Sequence, residues 1–334
     1  QTCALPISSS SLRADASTCA QVVTSSLVLT SSLRPCAKRR RSGNTYDDRV
    51  ITRRTFLTSG LSAIGLASFT PFITSCSSSS SSESVDEQWQ IVQRFPQIQV
   101  PGRIRLPISL ADQSGLLSGD DLPTTLSASL VNAETGAVVV ENLTADRHDA
   151  GMSIPYWPFR LEVAEVGVYS LVVEGGPVDG AGVQVVDPST VGVPLIGAPL
   201  PPFETPTFDD ARGVDPICTR TPEPCPFHDV TLSDALAAGL PVVYLIGTPA
   251  HCSTGSCAPA LDGLLALKDE LAGRYSVVHA EVYTDDTATT VAPAVTNYAM
   301  TYEPALFITD ASGTIVERLD AVFDEVELRG LLLS

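Results

Sequence analysis

Basic residues are scarce in this chain: 20 Lys and Arg stand against 38 Asp and Glu among 334 residues, a formal net charge of -18. The shortage sharpens after Cys76. Nine of the bases and three of the acids precede that residue, leaving 11 bases and 35 acids, a net of -24, for residues 76–334. Nucleic acid, whose phosphates demand clustered Lys and Arg, is therefore not expected as a partner. The acidic balance favours solubility and repels anionic lipid surfaces, without naming a substrate. Methionine is nearly missing: the two present are Met152 and Met300, so no initiating Met opens the chain. Uninterrupted apolar runs are missing as well. The uncharged stretch 57–75 is broken by Ser, Thr and Gly and is too short for a membrane span. What remains is globular in kind. The 44% apolar content can build real cores, and the length suggests two domains once segments that never fold are set aside.

The first quarter reads as addressing. Residues 52–57, Thr-Arg-Arg-Thr-Phe-Leu, resemble the twin-arginine export motif through Arg53 and Arg54, and the apolar part of the stretch 57–75 follows. Residues 73–76, Ile-Thr-Ser-Cys, resemble the lipobox of bacterial lipoproteins, in which the cysteine is acylated and becomes the new N-terminus. Cys76 is thus the expected lipidation site, and the implied location is the cell membrane, lipid-anchored on the extracytoplasmic side. A serine tract follows at once. It cannot bury apolar area, so residues 76–95 are expected to be a tether. Residues 1–49 are Ser-rich, contain Cys3, Cys19 and Cys36, and have no such logic. They are expected to be sequence upstream of the true start, with Val50 the candidate start and residues 50–75 the signal.

Export places the chain where disulfides persist. With the leader removed and Cys76 lipidated, four cysteines remain: Cys218, Cys225, Cys252 and Cys257. Three pairings are formally open. Proximity favours Cys218 with Cys225 and Cys252 with Cys257. Cys218 and Cys225, in a Cys-x6-Cys arrangement with His228 nearby, offer part of a metal site. Zinc sites usually use tighter spacing, so a structural disulfide is the expectation and no metal or cofactor is assigned.

Six β-like runs fill residues 96–187, at 103–110, 125–131, 137–143, 159–163, 168–174 and 182–186, separated by polar, Gly-rich breaks. Their alternation and spacing predict an all-β sandwich of immunoglobulin-like type, although the Cys-Trp-Cys signature of a true immunoglobulin domain is absent. This domain has no cysteine and one histidine, His148, so it is expected to be a spacer or binding module. Residues 188–228 hold ten prolines and read as an extended connector. Residues 229–334 read as α/β: a helix at 231–239, a strand at 241–246, a cysteine loop, a helix from Pro259 to about 275, and a strand at 276–283. A helix at 291–300, a hairpin turning at 310–313, and a final helix at 324–333 complete the pattern.

That order, with Pro304 just before the first hairpin strand, resembles the thioredoxin fold over the last third of the chain. The resemblance implies an α/β thioredoxin-like C-terminal domain and a cis bond before Pro304, which shapes a substrate cleft beside a redox dithiol. It also implies partners that are extracytoplasmic protein thiols or disulfides. The dithiol here is Cys-x4-Cys, Cys252 and Cys257, where the family has Cys-x-x-Cys, and Ala260 stands where its second cysteine would be. The family's buried aspartate has no equivalent in the strand 242–246. Catalytic residues are expected to be Cys257, Cys252 and Pro304. Cys257 is read as the attacking thiolate because Pro259 sets it at a helix N-terminus, where unpaired N–H groups favour a thiolate. Cys252 is the resolving thiol. His251 beside Cys252 leaves the reverse assignment open. Two other readings stand beside exchange. One is a thioredoxin-like binding module whose disulfide is static. The other is a copper-binding assembly protein using the cysteine pair with a distant histidine, His279 among them.

Overall fold

Arg103-Ile104-Arg105-Leu106-Pro107-Ile108-Ser109-Leu110 alternates polar and apolar residues, which in a strand separates them onto opposite faces. The computed structural model describes residues 89–334. The export motif at Arg53 and Arg54, the lipidation candidate Cys76 and residues 1–49 lie outside the described residues. The β half runs β1 (Gln90–Gln93), β2 (Ile98–Gln99), β3 (Gly102–Asp112), β4 (Gly115–Leu116), β5 (Thr125–Asn132), β6 (Val138–Asp146), β7 (Trp157–Val163), β8 (Gly167–Val173) and β9 (Ala181–Val185). Strand β1 falls inside the stretch read as tether.

Strand β3 pairs antiparallel with β1, β4 and β7, and a second sheet has the order β2-β9-β8-β5-β6. The even-numbered residues Ile104, Leu106, Ile108 and Leu110 of β3 join Trp157 and Phe159 of β7 in one core with Leu126, Leu130, Tyr169, Leu171 and Val183 of the other sheet. The odd-numbered face of β3 is buried too, since Arg105 and Ser109 are also shielded. That face is covered by the C-terminal half.

The C-terminal half contains α1 (Leu232–Ala237), β10 (Val242–Ile246), α2 (Cys257–Ala266), α3 (Lys268–Leu271), β11 (Ser276–Ala280), α4 (Pro293–Asn297), β12 (Ala305–Thr309), β13 (Ile315–Asp320) and α5 (Glu325–Leu332). Its sheet is ordered β11-β10-β12-β13, with β10 parallel to β11 and the other pairs antiparallel. The molecule is therefore a sheet-rich α/β protein. Strand β10 is buried throughout and divides its residues by parity. Val243 and Leu245 face the core shared with α2 and α5, while Val242, Tyr244 and Ile246 face the core containing Leu232, Tyr298 and Phe307. Helix α2 begins two residues before the expected Pro259, because a proline in the first turn withdraws no needed N–H. The single long helix expected up to residue 275 is instead α2 and α3, with Leu267 between them and Gly273 at φ +73° beyond.

The stretch read as an extended connector is packed against this half. Leu200 joins the core on one face of the sheet, and Cys218, Cys225 and Phe227 join the other. Pro199 bridges Thr314 and Asp215 bridges Asp285. Proline limits regular hydrogen bonding, yet the apolar residues between the prolines still gain by leaving water, so the segment wraps the domain as a strap.

The two halves meet at a buried carboxylate. Glu327 of α5 accepts bonds from Arg105 at 2.7 and 2.6 Å, from Arg160 at 2.7 Å and from the Tyr156 hydroxyl at 2.8 Å. Burial alone would push its pKa up, but the adjoining Arg105, then Arg160 and Tyr156, outweigh burial and hold it at about 2. Beside it, Asp324 caps α5 by accepting from the Glu327 amide at 2.9 Å and lies 2.8 Å from His148 Nδ1. His148 therefore serves this junction. No helix among the described residues is long and apolar enough to cross a membrane.

Candidate functional site

Strand β10 ends at Ile246, and the loop to α2 carries Cys252 before Ser256 and Cys257 start the helix. Cys252 is half-buried, and Cys257, at 1% exposure, lies beneath it. The backbone N–H of Cys257 donates to Cys252 Sγ at 3.3 Å, and Thr254 Oγ1 lies 3.2 Å from the same sulfur. The free N–H of the helix start is thus aimed at Cys252. The Cys252 thiol is lowered to about 5, first by the hydrogen bond from the Cys257 thiol, then by Thr254 and the backbone N–H groups of Cys257 and Ser256. Burial, followed by the neighbouring Cys252 charge, pushes the Cys257 thiol up. The thiolate character expected at Cys257 belongs to Cys252. His251 packs edge-on to Tyr283 at 6.4 Å, and the hydrogen bonds to Cys252 come from its own loop and helix start.

Sequence reasoning missed Glu303. Cys257 Sγ lies 3.4 Å from Glu303 Oε2, and the Thr248 amide donates to the same oxygen at 3.3 Å. Burial and then the Cys252 charge raise this carboxyl to about 7. Glu303 comes from the segment before β12. The bond between Glu303 and Pro304 is cis, as the resemblance implied, and Pro304 packs with Cys257 around Gly247. A Cβ at Gly247 would lie 3.4 Å from Pro304 Cβ and 3.5 Å from Cys257 Cβ. The position before a cis-proline was the available signal for Glu303.

Arg94 was also missed. It reaches from beyond β1 and donates to Ser256 Oγ at 2.7 Å, directly before Cys257. Arg94 and Glu303 line a cleft of 660 Å³ whose other walls include Phe95, Thr254, Tyr283 and Met300. One wall therefore comes from the β half.

A second cluster lies behind Gly247. Cys218 and Cys225, expected as a disulfide, are free and buried, and face two histidines. His279 Nδ1 is 3.8 Å from Cys218 Sγ, 3.4 Å from Cys225 Sγ and 3.2 Å from His228 Nε2. The hydrogen bond from the Cys225 thiol lowers the Cys218 thiol despite its burial. His279 Nε2 donates to the Gly247 carbonyl at 3.0 Å. Both ring nitrogens of His279 are thereby engaged away from Cys252 and Cys257, so the copper reading of that pair loses this third ligand. Thr219 links the two clusters: its amide donates to Glu281 at 2.7 Å, and its hydroxyl accepts from the Ala250 amide at 3.1 Å. Strap residues 218–228 and His279 meet because the His279 amide donates to the Phe227 carbonyl at 2.9 Å. The spacing of 54 residues from Cys225 to His279 hid this meeting from the sequence. No protein-family model and no curated protein matches the chain.

Proposed function

We propose that this chain is a thiol-disulfide oxidoreductase working through Cys252 and Cys257, held by a lipid on Cys76 at the extracytoplasmic face of the membrane. One observation carries the reading: a half-exposed Cys252 of lowered pKa sits over a buried Cys257 that faces a proton acceptor, Glu303. The strand order of the C-terminal half, with Pro304 beside Cys257, supports the thioredoxin-like reading of that half. The two sheets around one core support an immunoglobulin-like reading of the other.

The Cys252 thiolate attacks one sulfur of a partner protein's disulfide. The partner's S–S bond breaks, its leaving thiolate takes a proton, and Cys252 is joined to the partner in a mixed disulfide. Glu303 then takes the proton of Cys257, and the Cys257 thiolate attacks Cys252 Sγ. The mixed disulfide breaks, the partner leaves as a second thiol, and Cys252 and Cys257 are oxidised to a disulfide while the partner is reduced by two electrons. An oxidised pair meeting a partner dithiol runs the same steps backwards. The cleft beside Thr254 and Glu303 suits a protein segment with apolar side chains.

The test is trapping. Cys257→Ser should accumulate a mixed disulfide with a model protein disulfide, whereas Cys252→Ser should accumulate none. Trapping by Cys252→Ser alone would reverse the roles, and no adduct with either variant would remove the exchange reading.

A further inference from the structure

We propose that Cys218, Cys225, His228 and His279 form a closed, four-ligand site for zinc(II). The inference is independent of exchange at Cys252 and Cys257. All four side chains are buried, and their ligand atoms lie within 4.8 Å of one another. Bond lengths of about 2.3 Å to sulfur and about 2.0 Å to nitrogen place the corners of a tetrahedron about 3.3 Å apart for two nitrogens and about 3.5 Å for nitrogen and sulfur. The separations from His279 Nδ1 are 3.2 Å to His228 Nε2, 3.4 Å to Cys225 Sγ and 3.8 Å to Cys218 Sγ. These three edges meet at His279 Nδ1 at lengths close to those of a tetrahedron around one cation.

The surroundings orient His279 as a metal site requires, whereas the outer nitrogen of the other ring, His228 Nδ1, is buried without a hydrogen-bond partner. His279 Nε2 faces a carbonyl oxygen, which can only accept, so its proton sits there and the lone pair of Nδ1 points into the cluster. The Cys225 amide donates to Cys218 Sγ at 3.4 Å, a contact that stabilises a metal-bound sulfur. A proton between the two rings and the Cys225–Cys218 contact would join the four atoms only in pairs; one cation joins all four.

Charge selects the ion. Two thiolates and two neutral imidazoles around zinc(II) sum to zero, whereas copper(I) would leave one uncompensated negative charge in a buried site. Hard cations such as magnesium and calcium prefer oxygen. Four protein ligands leave no open position, so the ion has a structural part here: it pins the Pro-rich strap to β11.

The full chain, stripped of metal at low pH and returned to neutral pH in reductant without oxygen, is titrated with cobalt(II) as a spectroscopic stand-in and then with zinc(II). Expected are the intense visible bands of tetrahedral cobalt with a near-ultraviolet thiolate band, saturating at one equivalent and displaced by zinc(II). The Cys252→Ser/Cys257→Ser variant should keep these bands and the Cys218→Ser/Cys225→Ser variant should lose them. The cysteines before residue 89 are common to both variants and cancel. His228→Gln should shift the bands while circular dichroism reports a folded chain, which separates ligand loss from unfolding. Bands that survive Cys218→Ser/Cys225→Ser, or the absence of tetrahedral bands in the unsubstituted chain, would overturn the site. Protein purified without chelator and before any metal is stripped should carry one zinc per chain, and copper in its place would overturn the choice of ion.

Discussion

At the scale of single residues, the division of labour between two sulfurs rests on the hydrogen bonds that converge on one and the carboxylate beside the other. Cys252 receives the hydrogen bond of the Cys257 thiol first, then those of Thr254 and the N–H groups that open α2, so its alkylation rate should titrate with an inflection near pH 5, well below that of an ordinary thiol. Measuring iodoacetamide labelling of Cys252 by peptide mass against pH checks this, and an inflection above pH 8 would remove its activated character. Glu303 acts on the other step. Burial raises this carboxyl, and the Cys252 charge lifts it further, to about 7. That charge is gone once Cys252 is bonded to a partner, so release of partner from a preformed mixed disulfide should quicken as pH rises through a value above the ordinary carboxyl range and no higher than about 7. Glu303→Gln should slow release by about 100-fold or more, the usual scale of general acid-base help, while leaving attack by Cys252 much less affected. Stopped-flow measurement of the two steps separates the outcomes. Cys252, Cys257 and Pro304 were legible from spacing and order along the chain. Glu303 and Arg94 were not, since a carboxylate and a guanidinium reveal themselves only through what they touch. The cluster of Cys218 and Cys225 was misread for a related reason: its fourth ligand, His279, lies on a different element.

At the scale of elements, alternation and turn chemistry carried most of the information. Each of the six runs marked out in residues 96–187 became one of β3 and β5 to β9, since period-two patterning suits a layer with one face on a core. The short β1, β2 and β4 had too few residues to show a period. The hairpin of β12 and β13 was legible because Asp310 accepts from the Ser312 and Thr314 amides at 2.8 and 3.1 Å, and Gly313 at φ +82° closes the turn. Helix α2 holds its place through Leu261 and Leu264 and through close approach to α5, where Gly263 leaves no room for more. Leu264→Ala should therefore cost about 2–5 kcal/mol of stability, measured by denaturant unfolding, as expected for a leucine removed from a packed core. A loss below about 1 kcal/mol would mean that α2 is less tightly packed than its burial indicates.

At the scale of the whole molecule, the halves share a buried ionic centre that no reading of either half alone brings out. Arg105 and Arg160 sit on strands of one half and Glu327 on the last helix of the other, more than 160 residues apart in the chain. Glu327→Ala would strand the buried Arg105 guanidinium, while the more exposed Arg160 keeps Glu317 as a partner, and should destabilise the protein by about 3–5 kcal/mol. The pH dependence has a definite sign. A carboxylate held at about 2 when folded, against an ordinary 4.5, contributes stability that is fully present above 4.5 and is lost as pH falls towards 2. Thermal unfolding followed across that window should show a steep fall that Glu327→Ala flattens. An unchanged slope would place the acid-sensitive group elsewhere.

The same junction sets the character of the cleft. Arg94 and Phe95 stand on one side and Met300 and Glu303 on the other, so the gap between them is a distance between two halves locked at Glu327. Widening it by swinging the halves apart would bring a buried carboxylate and its guanidinium partners into unpaired exposure to one another and to water. Under the proposed exchange, a partner segment wider than this gap would have to break the bonds to Glu327 before it could reach Cys252.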